Sequence, residues 1–250
     1  MHYPKELNNK IAFVTGGSNG IGAATVRLLA DAGAQVAIGY HSSPERAEKL
    51  KSELPANEHS MIQLSLEDVS SIRNAASELR MMYGRLDVLV NSAGFTRPIP
   101  HHDIATLDDD LFGDILLANA RGPYSVIRAV APLLKASNDA VVVSVSSISA
   151  FTGSGSNIAY CAAKAALDTM TMSLARALGP NIRFLCVSPG AVATDFVAGR
   201  DRAALEKGAK STPLQRVVEP EDVARAIMAC VTHLKASTGM SILVDGGRHL

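Results

Sequence analysis

Lys10-Ile11-Ala12-Phe13-Val14-Thr15-Gly16-Gly17-Ser18-Asn19-Gly20-Ile21-Gly22 reads as a short apolar strand that runs into a glycine turn and then into a helix. Consecutive apolar residues bounded by a turn fit a strand covered on both faces, as in a parallel sheet. The turn Thr15–Gly22 closes that run and opens a helix, so its glycines can bring backbone amides and a helix N-terminus against a pyrophosphate. Its glycines at 16, 20 and 22 depart from the GxGxxG spacing of the dinucleotide turn. Taken alone, such a turn also suits a purely structural role. Its place directly after the first strand favours the binding role.

Working outward, short β-branched runs alternate with longer helical patterns to the end of the chain, which predicts an α/β fold with helices on both faces of a parallel sheet. Seven strands are expected, at Lys10–Thr15, Gln35–Tyr40, Met61–Leu66, Asp87–Asn91, Ala140–Ser146, Ile182–Ser188 and Ser241–Val244. Helices are expected at Ile21–Ala32 before Gly33, at Pro44–Leu54 with proline in the first turn, and at Ser70–Tyr83 before Gly84. No repeat or linker divides the chain, so one domain over residues 1–250 is expected. The stretch Ala191–Pro220 carries only mixed helix and loop signals. It follows the carboxyl end of a strand, where ligands sit in open α/β sheets, and is the candidate substrate lid.

Composition excludes several functions. The 24 basic and 24 acidic residues balance without a run of one sign, so the footprint of a nucleic-acid or anionic-membrane binder is missing. The three cysteines, Cys161, Cys186 and Cys230, show no CxxC or metal-ligand spacing and read as core residues in a reducing compartment. No signal segment opens the sequence, and no apolar run reaches the roughly 20 residues that span a bilayer. A cytoplasmic protein without a metal, nucleic-acid or membrane partner is the expectation.

The reactive set is Tyr160 and Lys164, one helical turn apart, with Ser147 thirteen residues before the tyrosine. Bringing a phenol from pKa ~10 to near neutrality takes roughly 4 kcal/mol of preferential stabilisation of the phenolate. Residues i and i+4 share a helix face, so Lys164 can lie beside the Tyr160 ring.

The ordered set of motifs resembles the short-chain dehydrogenase/reductase family, in its single-domain branch, and in general appearance the 3-oxoacyl-(acyl-carrier-protein) reductase-like members. The resemblance rests on Thr15–Gly22, Asn91-Ser92-Ala93-Gly94, Asn119, Ser147, the YxxxK pair, Ser188-Pro189-Gly190 with Thr194, and Val244-Asp245-Gly246-Gly247. It implies a doubly wound (Rossmann) fold and hydride transfer between a nicotinamide and a carbonyl or secondary alcohol. By that resemblance Tyr160 is the general acid/base, Ser147 holds the substrate oxygen, Lys164 lowers the tyrosine pKa and holds the nicotinamide ribose, and Asn119 joins a water relay. The cofactor would run along Gly16, Ser18, Asn19, Gly20, Ile21 and Gly22, past Tyr40, His41 and Ser42, Ser65 and Leu66, and Asn91, Ala93 and Gly94. It would reach Tyr160, Lys164, Pro189, Gly190, Val192 and Thr194. A strand-end hydroxyl and a solvated helix charge are the plain alternatives for Ser147 and Lys164 taken singly. Ser146 is the rival to Ser147, and the thirteen-residue interval favours Ser147.

Cofactor choice follows from what is missing. An acidic residue some 20 positions past the glycine turn normally accepts the 2′-hydroxyl of NAD, yet Gly33–Pro44 holds no Asp or Glu and Tyr40 stands in the expected place. NADP is therefore favoured over NAD, with His41, Ser42 and Ser43 as donors to its 2′-phosphate. Arg46 is the arginine within reach, against a plain helix-surface role. Three departures from the family pattern stand out: Ser65 for an aspartate at the adenine edge, leaving that contact to the Leu66 backbone; Ser92 for a second asparagine; and Leu185 for an asparagine.

Pro123, four residues after Asn119, has no amide hydrogen to give the Asn119 carbonyl. A kink with the freed carbonyl holding a water is one reading, and Gly122-Pro123 merely separating two helices is the other. His101 and His102 read as solvated loop residues, Asp108-Asp109-Asp110 as the acidic first turn of a helix, and Asp245 as a turn residue. Family members are commonly tetramers built on long helices, here Asp108–Ala136 and Tyr160–Leu178, which equally can cover only their own sheet. An acyl-carrier partner would need a basic patch, for which Arg121, Arg128 and Arg176 are available. A protein that senses NADP or acts as a scaffold without turnover is the alternative function. An epimerase or dehydratase of the longer branch fits the glycine spacing less well.

Overall fold

Alternation along the strands builds two cores, one on each face of a single sheet. The computed structural model describes residues 6–56 and 58–250, and the first five residues, read above for a signal segment, lie outside the described residues. The elements are β1 (Ile11–Thr15), α1 (Gly20–Asp31), β2 (Gln35–Tyr40), α2 (Pro44–Ser52), β3 (Ser60–Gln63), α3 (Val69–Tyr83), β4 (Val88–Asn91) and α4 (Asp109–Leu116). A π turn at Leu117–Arg121 leads into α5 (Gly122–Lys135), β5 (Ala140–Val145), α6 (Ser149–Thr152), α7 (Ile158–Leu178), β6 (Ile182–Pro189), α8 (Arg202–Ala209), α9 (Pro220–Thr232) and β7 (Met240–Val244).

The seven strands are all parallel and lie in the order β3-β2-β1-β4-β5-β6-β7. Strand order reverses between β1 and β4, where a crevice opens at the carboxyl ends. In β1, Ala12 and Val14 pack with Val26 and Leu29 of α1 and Ile227 of α9. Ile11 and Phe13 pack on the other face, with Ile72 and Leu79 of α3 and Val126 and Val130 of α5. The period of two along a strand sends neighbours to opposite faces, which is why every β1 residue is buried.

Most boundaries shift by a residue or two from the sequence reading, and two elements differ more. β3 ends at Gln63 rather than Leu66, because the Ser65 amide turns to the Ser71 hydroxyl (3.0 Å) ahead of α3. The helix expected over Asp108–Ala136 is interrupted by the π turn, in which the Gly122 amide reaches the Leu117 carbonyl five residues back. α4, the π turn and α5 follow without a gap, so Gly122-Pro123 does not separate two helices. Within Ala191–Pro220 the chain forms α8 and a parallel bridge between Val192 and Val218.

At the amino ends of the strands a buried acid ties the sheet together. Asp87 accepts from the Ile11 amide (2.9 Å), the Ser137 hydroxyl (2.7 Å) and Lys10 Nζ (3.3 Å). Burial, the largest influence, pushes its carboxyl up, yet Ser137, the Ile11 amide and the Lys10 charge together hold it below the ordinary carboxylate range.

Candidate active site

Five strands deliver their carboxyl ends to one cavity of about 580 Å³. Gly16, Ser18, Asn19, Gly20 and Ile21 enter after β1, His41, Ser42, Ser43 and Arg46 after β2, and Ser92, Ala93 and Gly94 after β4. Ser146 and Ser147 follow β5, and Pro189, Gly190, Val192 and Thr194 follow β6. Two glycines let the turns close this tightly. Gly16 sits at φ +63°, and a Cβ there would lie 2.9 Å from the Ala93 backbone. A Cβ on Gly22 would collide with the Gly16 carbonyl. The N-cap of α1, Asn19, makes no side-chain cap bond, so the first amides of α1 are left for another acceptor at the cavity floor.

These features fit a dinucleotide, with uncapped helix amides for the pyrophosphate and small residues along the floor. Not every expected residue reaches the cavity. Gly22 packs behind the turn, and Tyr40 and Asn91 end their strands outside it. Ser65 hydrogen-bonds Glu67 (3.1 Å), and the Leu66 carbonyl accepts from Arg121 (3.4 Å), so neither lines the space. His101 and His102 are outside it too, as are Arg121, Arg128 and Arg176. Ser43 and Arg46 do line it.

Tyr160 and Lys164 project from one face of α7 into the same cavity as Ser147. The helix start is fixed by Asn157, fully buried, whose Oδ1 accepts from the Tyr160 amide (2.7 Å) and whose Nδ2 donates to the Arg97 carbonyl (2.8 Å). Lys164 Nζ lies over the Tyr160 ring, 5.5 Å from its centroid, and donates to the Val145 carbonyl (2.8 Å). Burial pushes the Tyr160 phenol above its ordinary value, while a hydrogen bond with Ser147 and the charge of Arg200 pull the other way. Burial pushes Lys164 down to about 8, with Cys186 and Asp168 opposing it. Ser146 turns instead toward the Lys164 carbonyl (3.4 Å). Asn119 is wholly buried beside the cavity. Its Nδ2 donates to the Phe95 and Ile115 carbonyls (2.7 and 3.0 Å), its Oδ1 has no partner, and a Cβ on Gly94 would lie 2.5 Å from that oxygen.

Sequence reasoning missed four residues of this region. Asp168 continues the Tyr160–Lys164 face by one turn, a spacing that was there to be read, and burial pushes its carboxyl up. Phe196 places its ring 5.9 Å from that of Tyr160, and Arg200 and Arg248 line the cavity as well. These three lie in segments without period, which gave no signal. The remaining candidates have structural work. Asp108 caps α4 through the Leu111 amide (2.8 Å), and Asp245 accepts from the Gly247 and His249 amides (2.9 Å each). Among the described residues no group of three metal-ligating side chains occurs, the three cysteines are free and buried, and no helix is long and apolar enough to cross a membrane.

Comparison with known proteins agrees with this geometry. A family model described as enoyl-(acyl carrier protein) reductase matches residues 16–249. The chain is 33% identical to a 3-oxoacyl-(acyl-carrier-protein) reductase of Chlamydia muridarum, over 96% of this chain and 98% of that one. It is 35% identical to an L-rhamnose 1-dehydrogenase (NAD(P)(+)) of Azotobacter vinelandii, over 96% and 97%. A short chain dehydrogenase from Burkholderia cenocepacia, solved in complex with NADP, superposes with a TM-score of 0.88 at 33% identity, covering 98% of this chain and all of that one. With a parallel sheet open at the β1–β4 switch and a tyrosine–lysine pair beside it, the chain belongs to the short-chain dehydrogenase/reductase family of NAD(P)-dependent oxidoreductases.

Proposed function

We propose that the protein is an NADP(H)-dependent reductase of a carbonyl group, running in reverse on a secondary alcohol, with a 3-oxoacyl thioester as the first substrate to try. The observation that carries this reading is the convergence of Tyr160, Ser147 and Lys164 on a cavity that runs unbroken to the amino end of α1. The bound cofactor supplies or accepts the hydride. Ser147 holds the substrate oxygen, and Tyr160, kept protonated by its burial, gives that oxygen its proton. Lys164 stands behind the ring as the cation that favours the phenolate left over, and Asn119, with its unpartnered Oδ1, leads from that cation toward a water chain.

The NADP preference is supported by His41, Ser42, Ser43 and Arg46 at one end of the cavity, where no carboxylate lines the wall to repel a 2′-phosphate. We further propose that Ala191–Pro220 acts as the lid of one catalytic domain and that four copies assemble through α5 and α7, where Tyr124 and Met172 are exposed. Light scattering tests the assembly. The activity is tested by NADPH oxidation against a carbonyl panel headed by a 3-oxoacyl thioester, with NADH as competing cofactor. Turnover with NADPH on any member supports the reading. Tight NADPH binding without turnover on any carbonyl would favour a sensing role.

A further inference from the structure

We infer that the substrate carries an anionic group, a carboxylate or a phosphate, which Arg200 and Arg248 hold on the wall of the cavity facing Tyr160. The inference rests on the reading of the cavity as a carbonyl-reducing site and narrows its substrate. Both side chains line the cavity. The Arg248 guanidinium lies against α8 at Gly208, where a Cβ would stand 3.2 Å from Nη1, so the missing side chain leaves room for the cation. Arg200 is half-buried in the segment between β6 and α8.

Among the described residues neither guanidinium has an ion-pair or hydrogen-bond partner, although arginines close by are fully engaged. Arg202 pairs with Glu206 (3.0 Å) and Glu219 (2.6 Å), and Arg216 and Arg225 share Asp222 (2.9 and 3.3 Å). Asp195, the carboxylate on the cavity wall, is exposed and pairs with neither. Arg248 is exposed and Arg200 half-buried, and burial and the Arg248 charge both hold Arg200 below its ordinary range. An anion between them removes the repulsion and accepts paired N–H donors in the planar geometry that arginine offers. Arg200 and Arg248 line the same cavity as Tyr160, so the anion and the reacting carbonyl belong to one bound molecule. The Phe196 ring supplies an apolar contact beside it.

Matched pairs test this: 3-oxobutanoate against its methyl ester, and dihydroxyacetone phosphate against dihydroxyacetone, each by NADPH oxidation. In one pair the charged member should have the higher kcat/KM by at least about 10-fold, and that pair names the anion. Arg200→Gln and Arg248→Gln should each shrink the charged-to-uncharged ratio by about 10- to 100-fold, the range of a lost charge-assisted hydrogen bond, and Arg200→Lys, which keeps the charge but loses the paired donors, should fall between Arg200→Gln and the unaltered protein. Ratios near or below one in both pairs overturn the inference. So does a loss that falls equally on both members or on the KM for NADPH. If no carbonyl is turned over, the reductase reading fails separately. Calorimetric titration of 3-oxobutanoate and dihydroxyacetone phosphate, with NADP present, then decides the anion site. Binding that the Arg200→Gln/Arg248→Gln protein loses sustains it, and no binding to the unaltered protein overturns it.

Discussion

The two ends of the sheet treat charge in opposite ways. At the amino ends Asp87 is buried with a lysine, a hydroxyl and an amide all turned to it, and its carboxyl is held low. At the carboxyl ends Lys164 is as deeply buried but has one carbonyl for a partner, and burial drives it down to about 8. Arg200 and Arg248 stand a short way off without partners. A charge that is fully satisfied stabilises the fold. A charge left short of partners costs stability and is available to a ligand. The same sheet thus separates its structural end from its chemical end by how completely it pairs its ions.

The largest effect expected on this contrast is at Tyr160. Tyr160→Phe removes the proposed proton donor but little volume, so kcat should fall by about 10²- to 10⁴-fold while the melting temperature stays near that of the unaltered enzyme. Turnover assays and a thermal scan on one preparation check both halves. Surviving turnover would remove Tyr160 as the acid.

Asp87→Ala should do the reverse. It leaves Lys10 and the Ile11 amide without their acceptor and should cost about 3–5 kcal/mol, as for a broken buried pair. Because the folded-state pKa is depressed, the Asp87 contribution is fully present above the unfolded value near 3.9 and is lost as pH falls through the lower native value. Urea titrations from pH 3 to 7 should therefore show a difference between variant and parent that closes toward acid. A difference independent of pH would mean that the side chain acts through packing and not through its charge.

The structural end was legible in the sequence only in outline, and the chemical end only in part. The inner strands were readable because a strand covered on both faces is a nearly continuous apolar run, as at Ala140–Val145, and the part-exposed edge strands β3 and β7 were readable from their place in the strand–helix alternation. Tyr160 and Lys164 were readable because helical spacing places i and i+4 together. The pairing of Asp87 was not, since apart from Arg85 two positions before it (3.3 Å) its partners lie 50 and more positions away, and no local pattern announces them. Arg200 and Arg248 were hidden for a related reason, as irregular segments carry no period. The break near Asn119 was half visible. Pro123 announced a missing donor, but whether the helix would end or absorb the fault as a π turn depended on the packing of Gly122 against Leu66.

Lys164 offers the sharpest test of the contrast in sign. A lysine whose folded pKa lies below its unfolded one destabilises the native state at every pH where both forms are charged, and that penalty fades as pH rises from about 8 to about 10.5. The gap corresponds to the order of 3 kcal/mol at ~1.4 kcal/mol per pH unit. Lys164→Met should therefore abolish turnover yet gain stability relative to the parent at pH 7, with the gain shrinking toward pH 10. The lost bond to Val145 offsets part of it. A variant less stable than the parent at every pH would place Lys164 with Asp87 as a structural charge.

The smallest effect lies at the far end of the cavity, where the contrast takes its mildest form. Arg46 is exposed at the start of α2 and has no ion-pair partner among the described residues, although Arg27 on the neighbouring helix pairs with Glu53 (2.6 Å). If its role is to meet a 2′-phosphate, Arg46→Ala should narrow the preference for NADPH over NADH by about 10-fold, the value of one exposed charge-assisted contact. The KM for NADH should hold. The effect should weaken as salt rises, since an exposed pair is screened over about 10 Å at 0.1 M. An unchanged preference would return Arg46 to the helix surface and leave the 2′-phosphate to His41, Ser42 and Ser43. The charged end of the cavity would then be confined to the cations around Tyr160.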